Sequence, residues 1–392
     1  MPWQVQHEER NVLISKLKLQ NWRNFKKIEV ELRERVFVIG PNASGKSNLL
    51  DVFRFLRDVA QPQGGGLQRA VAARGGMTKL RCLLARRDPE VLIEVELSDR
   101  ADTPPIWRYT LAFGGKQRVV VTREKVVDLR TDTVILERPN NEDRSDPERL
   151  TETNLEQVNT NKNFRAIAQF FGSLTYLHLL PQLLKHTELG ATAMLEGDPF
   201  GQSFLERIAK TADRTREARL KKIEAALQAC VPNMRNLKFA RDANTGAPHL
   251  EALYEHWRPD AGWQREDQLS DGTLRLLGIM WSLLDGDSLL LLEEPELSLS
   301  ESIVRQIPAL LWKMQRTAKH RRQVFVTTHS EALLEHTSVD PRDVVRLEPS
   351  SNGTHAATAT AQEKALVAAG YSVAEAMVKV RSSGQLEQLS IF

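Results

Sequence analysis

Cysteine is nearly absent: Cys82 and Cys230 are the only two in 392 residues, far apart and in no CxxC spacing. Such a pair builds neither a disulfide framework nor a zinc cluster, so a reducing, intracellular setting is expected, with both thiols buried as small apolar groups. An excess of one charge sign is also missing. The formal net charge is +3, so the chain as a whole is not a strongly basic nucleic-acid binder, although a single basic face would escape that count. Long apolar runs are lacking too. The longest, near Leu289 and Leu310, fall short of the ~20 residues that span a bilayer. Met1 to Arg10 is polar and acidic where a signal peptide needs a basic start and an apolar run. These absences predict a cytoplasmic protein that makes no membrane contact. No internal repeat or sustained heptad appears, which excludes a long coiled-coil arm. What is present is ample: a chain that is 41% apolar can bury a large core, and its length suits two or three domain-sized units.

The pattern along the chain is α/β at both ends. Val12 to Leu19 alternates loosely, Ile28 to Leu32 alternates cleanly, and Arg35 to Ile39 reads as a buried strand running into a glycine turn and a helix over 48–59. Gln61 to Gly76, with Pro62 and five glycines, reads as a flexible connection. Strands at 91–97, 106–113 and 117–122 are too closely spaced for crossover helices and are expected to be antiparallel. Arg138 to Asn161 is polar and reads as a mobile excursion. Residues 164–185 look helical with a break near Pro181, and 204–230 reads as one amphipathic helix with Arg214, Arg216, Arg219, Lys221 and Lys222 turned away from its apolar face. Helices are expected at 274–284 and 301–317, strands at 288–292 and 322–327, an edge strand at 344–347 and a last helix near 372–379. The expected division is an N-terminal lobe at 1–135, a loop and helical insertion at 136–265, and a C-terminal lobe at 266–392.

The firmest motif is Gly40, Pro41, Asn42, Ala43, Ser44, Gly45, Lys46 and Ser47, followed by Asn48, which fits GxxxxGK[ST] between a strand and a helix. Glycines let successive amides turn inward and form an anion nest at a helix N-terminus. Lys46 reaches the β- and γ-phosphates of a nucleotide, and Ser47 offers one oxygen to Mg²⁺. No NKxD guanine-reading motif is present, so ATP is expected rather than GTP.

Three downstream segments extend the site. Ser288 to Glu294 is an apolar strand ending in two carboxylates. Glu293 is read as the Mg²⁺-side ligand, and Glu294 as the group that orients and polarises water. Val324 to Ser330 is a second buried strand ending near His329, suited to the γ-phosphate or the attacking water. Gln268 to Arg275 opens a helix whose Ser270 and Gly272 form another anion-binding surface. If the two phosphate surfaces lie apart on one face, a two-fold dimer traps two ATP molecules. Taken alone, the Ser270 to Thr273 turn is an ordinary helix cap.

In that order the four motifs resemble the ABC-type ATPase superfamily. More narrowly, with Leu19 to Phe25 at the opening and Gly370 to Glu375 near the tail, the chain is similar to the RecF, Rad50 and SMC side of it, and to stand-alone bacterial AAA-family ATPases of the AAA_21 type. The resemblance implies an α/β ABC-type P-loop head with an antiparallel β subdomain and an inserted helical lobe. It assigns phosphate and Mg²⁺ contacts to Lys46 and Ser47, metal support to Glu293, the catalytic base to Glu294, the switch to His329, and completion of a partner's site to Ser270 and Gly272. Gln182 is a candidate for the family's metal-sensing glutamine. Asp271 stands where transporter heads have glycine, and Leu297 to Ser300 replaces the LHP of many relatives, near the expected two-fold. Too little chain follows His329 for a Toprim nuclease. The expected function is ATP hydrolysis by a head-to-tail homodimer that regulates a separate effector in antiphage defence. A RecF-like DNA clamp, with Arg214 to Lys222 or Lys319 to Arg322 on phosphates, is the first alternative, and an ATP-holding switch with little turnover the second. A transporter head is the least favoured.

Overall fold

The computed structural model describes residues 12–61, 63–85, 90–115, 118–185, 198–255, 258, 262–318 and 321–379. They fall into two units that alternate along the chain, one within Met1–Leu174, Gln323–Phe325 and Arg342–Ala359, the other within Thr175–Arg322, Val326–Pro341 and Thr360–Phe392.

In the first unit the opening alternation becomes β1 (Leu13–Trp22) and β2 (Phe25–Glu31), an antiparallel pair. β4 (Val91–Ser98), β5 (Trp107–Gly114), β6 (Val120–Asp128) and β7 (Thr133–Arg138) complete an antiparallel sheet ordered β2-β1-β4-β5-β6-β7. Alternate residues such as Leu17, Leu19, Ile93, Val95 and Leu111 point into the core and are fully buried. β3 (Arg35–Ile39) lies parallel to β14 (Val344–Ser350), and β15 (Gly353–Thr358) pairs antiparallel with β14 on its other side. Residues 344–347 are therefore not a sheet edge: the hairpin partner that follows covers them. α1 (Lys46–Ala60) leaves β3 through the glycine turn and carries an aromatic stripe. Phe55 stacks on Phe113 with centroids 5.2 Å apart and meets Trp22 edge-on at 5.3 Å, while Phe53 meets Phe325 at 5.0 Å. The glycine-rich connection after α1 is less open than its composition suggests, since it holds α2 (Leu67–Ala72), and α3 (Met77–Leu80) follows it directly.

The stretch after β7, expected to be a mobile excursion, is ordered. It forms α4 (Asn141–Ser145) and a 3₁₀ turn at Pro147–Thr151, and α5 (Arg165–Gly172) follows it. Much of its polar surface is exposed, but Arg138, Asp143, Thr151, Thr153 and Asn161 are buried. Arg138 donates to Asp143, to Glu124 at 3.2 Å and to the carbonyls of Arg149 and Glu152. Glu124 in turn accepts the amides of Asn154 at 2.7 Å and Leu155 at 3.0 Å. A fully paired buried network replaces the apolar anchors whose absence suggested mobility.

The second unit holds β8 (Thr175–Leu177), parallel to β12 (Leu290–Glu293). The 164–185 segment is thus not one helix but α5, then β8, then α6 (Pro181–Lys185). The long helix expected at 204–230 breaks at Thr211–Ala212 into α7 (Phe204–Lys210) and α8 (Asp213–Leu227). Residues 234–265 add a three-stranded antiparallel sheet, β9 (Met234–Arg241), β10 (Pro248–Tyr254) and β11 (Trp263–Arg265), with β10 central, where loop and helix were expected. α9 (Asp271–Leu284) is almost wholly buried. The helix expected over 301–317 is split into α10 (Glu301–Val304) and α11 (Ile307–Thr317), with Pro308 in the first turn of the latter. β13 (Val324–Thr327) begins in the first unit and ends in the second. α12 (Ala361–Ala368), which the sequence pattern did not reveal, precedes a π-helical turn at Glu375–Lys379.

Arg214, Lys221 and Lys222 are exposed, as expected of an outer face, but part of the basic runs is used internally. Arg216 lies over the Phe239 ring at 4.1 Å, Arg219 bonds Asp285 at 2.9 Å, and Lys222 donates to the Thr317 carbonyl at 2.7 Å. Arg322 is buried and donates to the Ser288 and Asp285 carbonyls at 2.7 and 2.8 Å and to Thr175 Oγ1 at 2.7 Å; burial pushes its guanidinium down to about 10. Lys319 lies outside the described residues. Cys82 is buried, but Cys230 is only half-buried. Among the described residues no helix is long and apolar enough to cross a membrane.

Candidate functional site

In the first unit the phosphate loop is built by backbone geometry. Ala43 and Gly45 adopt positive φ, +61° and +100°, and Gly45 is the residue from which α1 starts. No side chain caps that helix at Gly45. A Cβ on Gly45 would lie 2.1 Å from Asn24 Nδ2, and one on Gly40 would lie 2.7 Å from both the Leu347 carbonyl and Ser44 Oγ. Lys46 folds over the loop and donates to the carbonyls of Gly40 at 2.7 Å and Pro41 at 3.1 Å. Asn48 extends the loop's framework by donating to Asn24 Oδ1 at 2.8 Å.

Two residues outside the motif hold the loop in place. Asn24 donates to the Ser44 carbonyl at 2.8 Å and to Thr354 Oγ1 at 2.7 Å. Thr354 Oγ1 donates to that same carbonyl at 3.0 Å, and its amide bonds the Asn24 carbonyl. The turn after β1 and the start of β15 therefore clamp the middle of the loop. Asn24 sits within the opening Leu19 to Phe25 that carries the resemblance, whereas nothing in the sequence marks Thr354. Behind the loop Asp51 on α1 binds Arg23 at 2.7 Å and Arg74 at 2.9 Å. Burial pushes the Asp51 carboxyl up, but the two guanidiniums outweigh it and hold it below the usual range.

In the second unit the two strand ends meet. Glu294 has φ +45°, so the chain turns sharply as it leaves β12, and its amide donates to the Thr327 carbonyl at 3.1 Å. His329 Nε2 lies 2.5 Å from Glu294 Oε1. Glu296 supports this pair: its Oε1 accepts from Thr328 Oγ1 at 2.6 Å and from the His329 amide at 2.9 Å. Glu293 accepts a hydrogen bond from the Tyr176 hydroxyl. Arg275, buried on α9, donates to the Glu294 carbonyl at 3.4 Å, and burial lowers its affinity for the proton. Neither Glu296 nor Tyr176 was singled out from the sequence.

Ser270 is the N-cap of α9, its Oγ accepting the Thr273 amide at 3.1 Å. Gly272 is needed for packing as well: a Cβ there would meet Leu299 Cδ2 at 2.9 Å and the Ser298 carbonyl at 3.2 Å. Asp271 binds Lys185 at 2.7 Å and accepts from Gln182 Nε2 at 3.1 Å. The structure thus gathers Glu293, Glu294 and His329 with Glu296 in one unit and ties them through Arg275 to the helix that bears Ser270 and Gly272. Gly40 to Asn48 belong to the other unit.

The loop fits a nucleotide's phosphates by a test internal to it. Ser44 Oγ is buried with no hydrogen-bond partner among the described residues, in a turn whose glycines leave no side chain in the way. The Ser47 hydroxyl in the first unit and the Glu293 carboxylate in the second are each hard oxygen donors of the kind Mg²⁺ takes.

The chain matches the AAA_21 family, described as "AAA domain, putative AbiEii toxin, Type IV TA system", over residues 35–335. A curated relative, the DNA replication and repair protein RecF of Roseiflexus castenholzii (strain DSM 13941 / HLO8), is 30% identical over 97 residues, 23% of this chain. The match spans only 25% of that relative's length. The crystal structure of an SMC head bound to the C-winged helix domain of ScpA aligns with TM-score 0.54 at 14% identity, covering 89% of this chain and 99% of that one. The SMC head domain from Thermotoga maritima aligns with TM-score 0.47 at 16% identity, covering 88% and 99%.

Proposed function

The chain belongs to the AAA_21 family and has the α/β fold of an ABC-type ATPase head, and from that premise we propose that it hydrolyses ATP as a head-to-tail homodimer. The observation that carries this reading is the Glu294–His329 pair at the end of β12. A carboxylate held by an imidazole and by a strained turn is pre-positioned to orient and polarise water.

In this reading the loop amides and Lys46 bind the phosphates, and Ser270 and Gly272 of the second protomer complete the site. Glu294 takes a proton from water as the water oxygen attacks the γ-phosphorus in line with the breaking bond to the β–γ bridging oxygen, so that ADP leaves and inorganic phosphate forms, and His329 holds the Glu294 carboxylate and the γ-phosphate oxygens. When bound at Ser47 and Glu293, Mg²⁺ neutralises phosphate charge. Residues 1–135 and 266–392 are the two ATPase lobes and 136–265 the insertion. Gln182, tied to Asp271, carries nucleotide state to the signature helix.

The biological role we assign is that of a cytoplasmic regulator of a separate effector in prokaryotic antiphage defence. Support comes from the family's description, which names a toxin of a Type IV toxin–antitoxin system. The RecF similarity favours a second reading, a DNA clamp. Against the particular surfaces suggested for it, Arg216, Arg219 and Arg322 are already engaged within the protein.

The test is ATP turnover against protein concentration, with and without duplex DNA, using Glu294→Gln as the blank. A rate per chain that rises with concentration and vanishes in the variant supports the paired site. Stimulation by DNA moves the reading to the clamp. Equality of wild type and blank under every condition overturns hydrolysis and leaves a nucleotide-holding switch.

A further inference from the structure

The parallel pairing of β8 with β12 sets Thr175 opposite Leu290, Tyr176 opposite Leu291 and Leu177 opposite Leu292. Side chains alternate along a strand, so Tyr176, Leu291 and Glu293 share one face of the pair. The Tyr176 ring therefore lies beside Leu291 and runs toward the strand end, where its hydroxyl donates to Glu293 Oε2. The ring is buried, 8% exposed. Its strand is fixed at the other end, because the Thr175 amide bonds the Leu289 carbonyl at 3.0 Å and Thr175 Oγ1 accepts from the buried Arg322. The hydroxyl is thus presented from a rigid frame rather than from a loop.

We infer that Tyr176 is a positioning residue for the metal-side carboxylate, orienting Glu293 toward the nucleotide-bound Mg²⁺. The inference rests on the ATPase reading and deepens it. Its physical ground is the length of the side chain. P-loop ATPases hold their metal with a Walker-B aspartate, and Glu293 adds one methylene and one freely turning torsion. A carboxylate on a longer stem must lose more rotational freedom when it engages a cation. A hydroxyl bonded to one oxygen removes much of that freedom beforehand and fixes the plane of the carboxylate. Partners of metal ligands act in this way, and their loss costs roughly 10- to 100-fold in metal affinity or activity.

The experiment uses the full chain loaded with ATP, with Mn²⁺ as the probe, its binding followed by electron paramagnetic resonance. Metal-free ATP binding and the thermal midpoint are measured alongside. Tyr176→Phe keeps the ring and removes only the hydroxyl. The expected result is Mn²⁺ affinity lowered by about 10- to 100-fold, a matching rise in the Mg²⁺ concentration that half-saturates turnover, and metal-free ATP binding unchanged. In a Glu293→Asp background, where the shorter side chain falls away from the hydroxyl, Tyr176→Phe should change Mn²⁺ affinity no further. Unchanged Mn²⁺ affinity in Tyr176→Phe overturns the inference, as does an equal loss in the Glu293→Asp background, which would mark a merely structural role. If the wild-type protein itself binds no Mn²⁺ with ATP, the ATPase reading fails instead, so the two failures are separable.

Discussion

The phosphate loop and the carboxylate end of β12 hold their groups by different means. The loop is shaped by backbone: positive φ at Ala43 and Gly45, a carbonyl shared by Asn24 and Thr354, and a lysine folded back on Gly40 and Pro41. Apart from Lys46 and the Asp51 ion pairs behind the loop, its supports are neutral amides and hydroxyls. At the strand end the work is done by charged side chains and their partners, Glu293 with Tyr176, Glu294 with His329, and Glu296 with Thr328. A backbone cradle binds whatever anion fits it and depends little on ionisation. A cluster of carboxylates depends on metal and proton. The expectation is a division of labour in which the loop governs nucleotide affinity and the strand end governs turnover.

The largest effect should come from breaking the strand end alone. Glu294→Gln keeps the shape and removes the base, so turnover should fall by roughly 10²- to 10⁴-fold while ATP affinity, read by isothermal calorimetry, stays put. Loss of affinity in this variant would erase the proposed division. The loop side should respond in the opposite pattern. Lys46→Ala removes charge-assisted hydrogen bonds worth about 1.5–3 kcal/mol, so ATP affinity should drop by roughly 10- to 100-fold even without metal. Unaltered binding would put the phosphates elsewhere.

A smaller change tests whether the loop's shape is really set by backbone. Gly45→Ala places a Cβ at φ +100°, 2.1 Å from Asn24 Nδ2. The backbone term alone is about 1–2 kcal/mol, and displacing Asn24 adds to it. Removing the obstacle with Asn24→Ala should recover the second part but not the first, so the double variant should be less destabilised than the sum of the singles. Strict additivity of the thermal shifts would show that Asn24 does not clamp the loop.

How much of this could be read from sequence follows the same division. The loop was legible because its requirements are local: glycines, a lysine and a hydroxyl at fixed spacing between a strand and a helix. The apolar strands ending at Glu293 and Thr327 were legible for the same reason. Their supports were not, because Thr354 reaches Asn24 across 330 positions of sequence and Tyr176 reaches Glu293 across 117. A three-residue strand such as β8 has too little length for periodicity to declare it. Charge was the other blind spot. Polarity made 138–161 look mobile, yet Arg138, Glu124 and Asp143 bury one another. The arginines of α8 looked like an outer face, yet Arg216 covers Phe239 and Arg219 binds Asp285. Sequence shows that a residue is charged but not whether its partner is water.

The smallest expected effect concerns a carboxylate on the loop's side of the comparison, where ionisation was said to matter little. Glu156 Oε2 accepts the Leu67 amide at 3.1 Å, at the start of α2, and Oε1 accepts Thr153 Oγ1 at 3.2 Å. Burial pushes its carboxyl up to about 7 against the pull of these donors, and the neighbouring Glu152 charge pushes the same way. The folded chain then binds a proton that the unfolded chain has released between pH 4.5 and about 7. Stability contributed by this group is accordingly full below that window, falls as pH rises through it, and is level above it. This is opposite in sign to Asp51, whose depressed carboxyl adds stability that is lost as pH falls through its folded value. Glu156→Gln should flatten the decline, so the variant gains on the wild type in denaturant midpoint from pH 5 to pH 8 and leaves ATP affinity alone. A constant difference across that range would mean that Glu156 stays ionised beside its donors. An ATP affinity that tracked the same window would mean that the loop is not indifferent to charge after all.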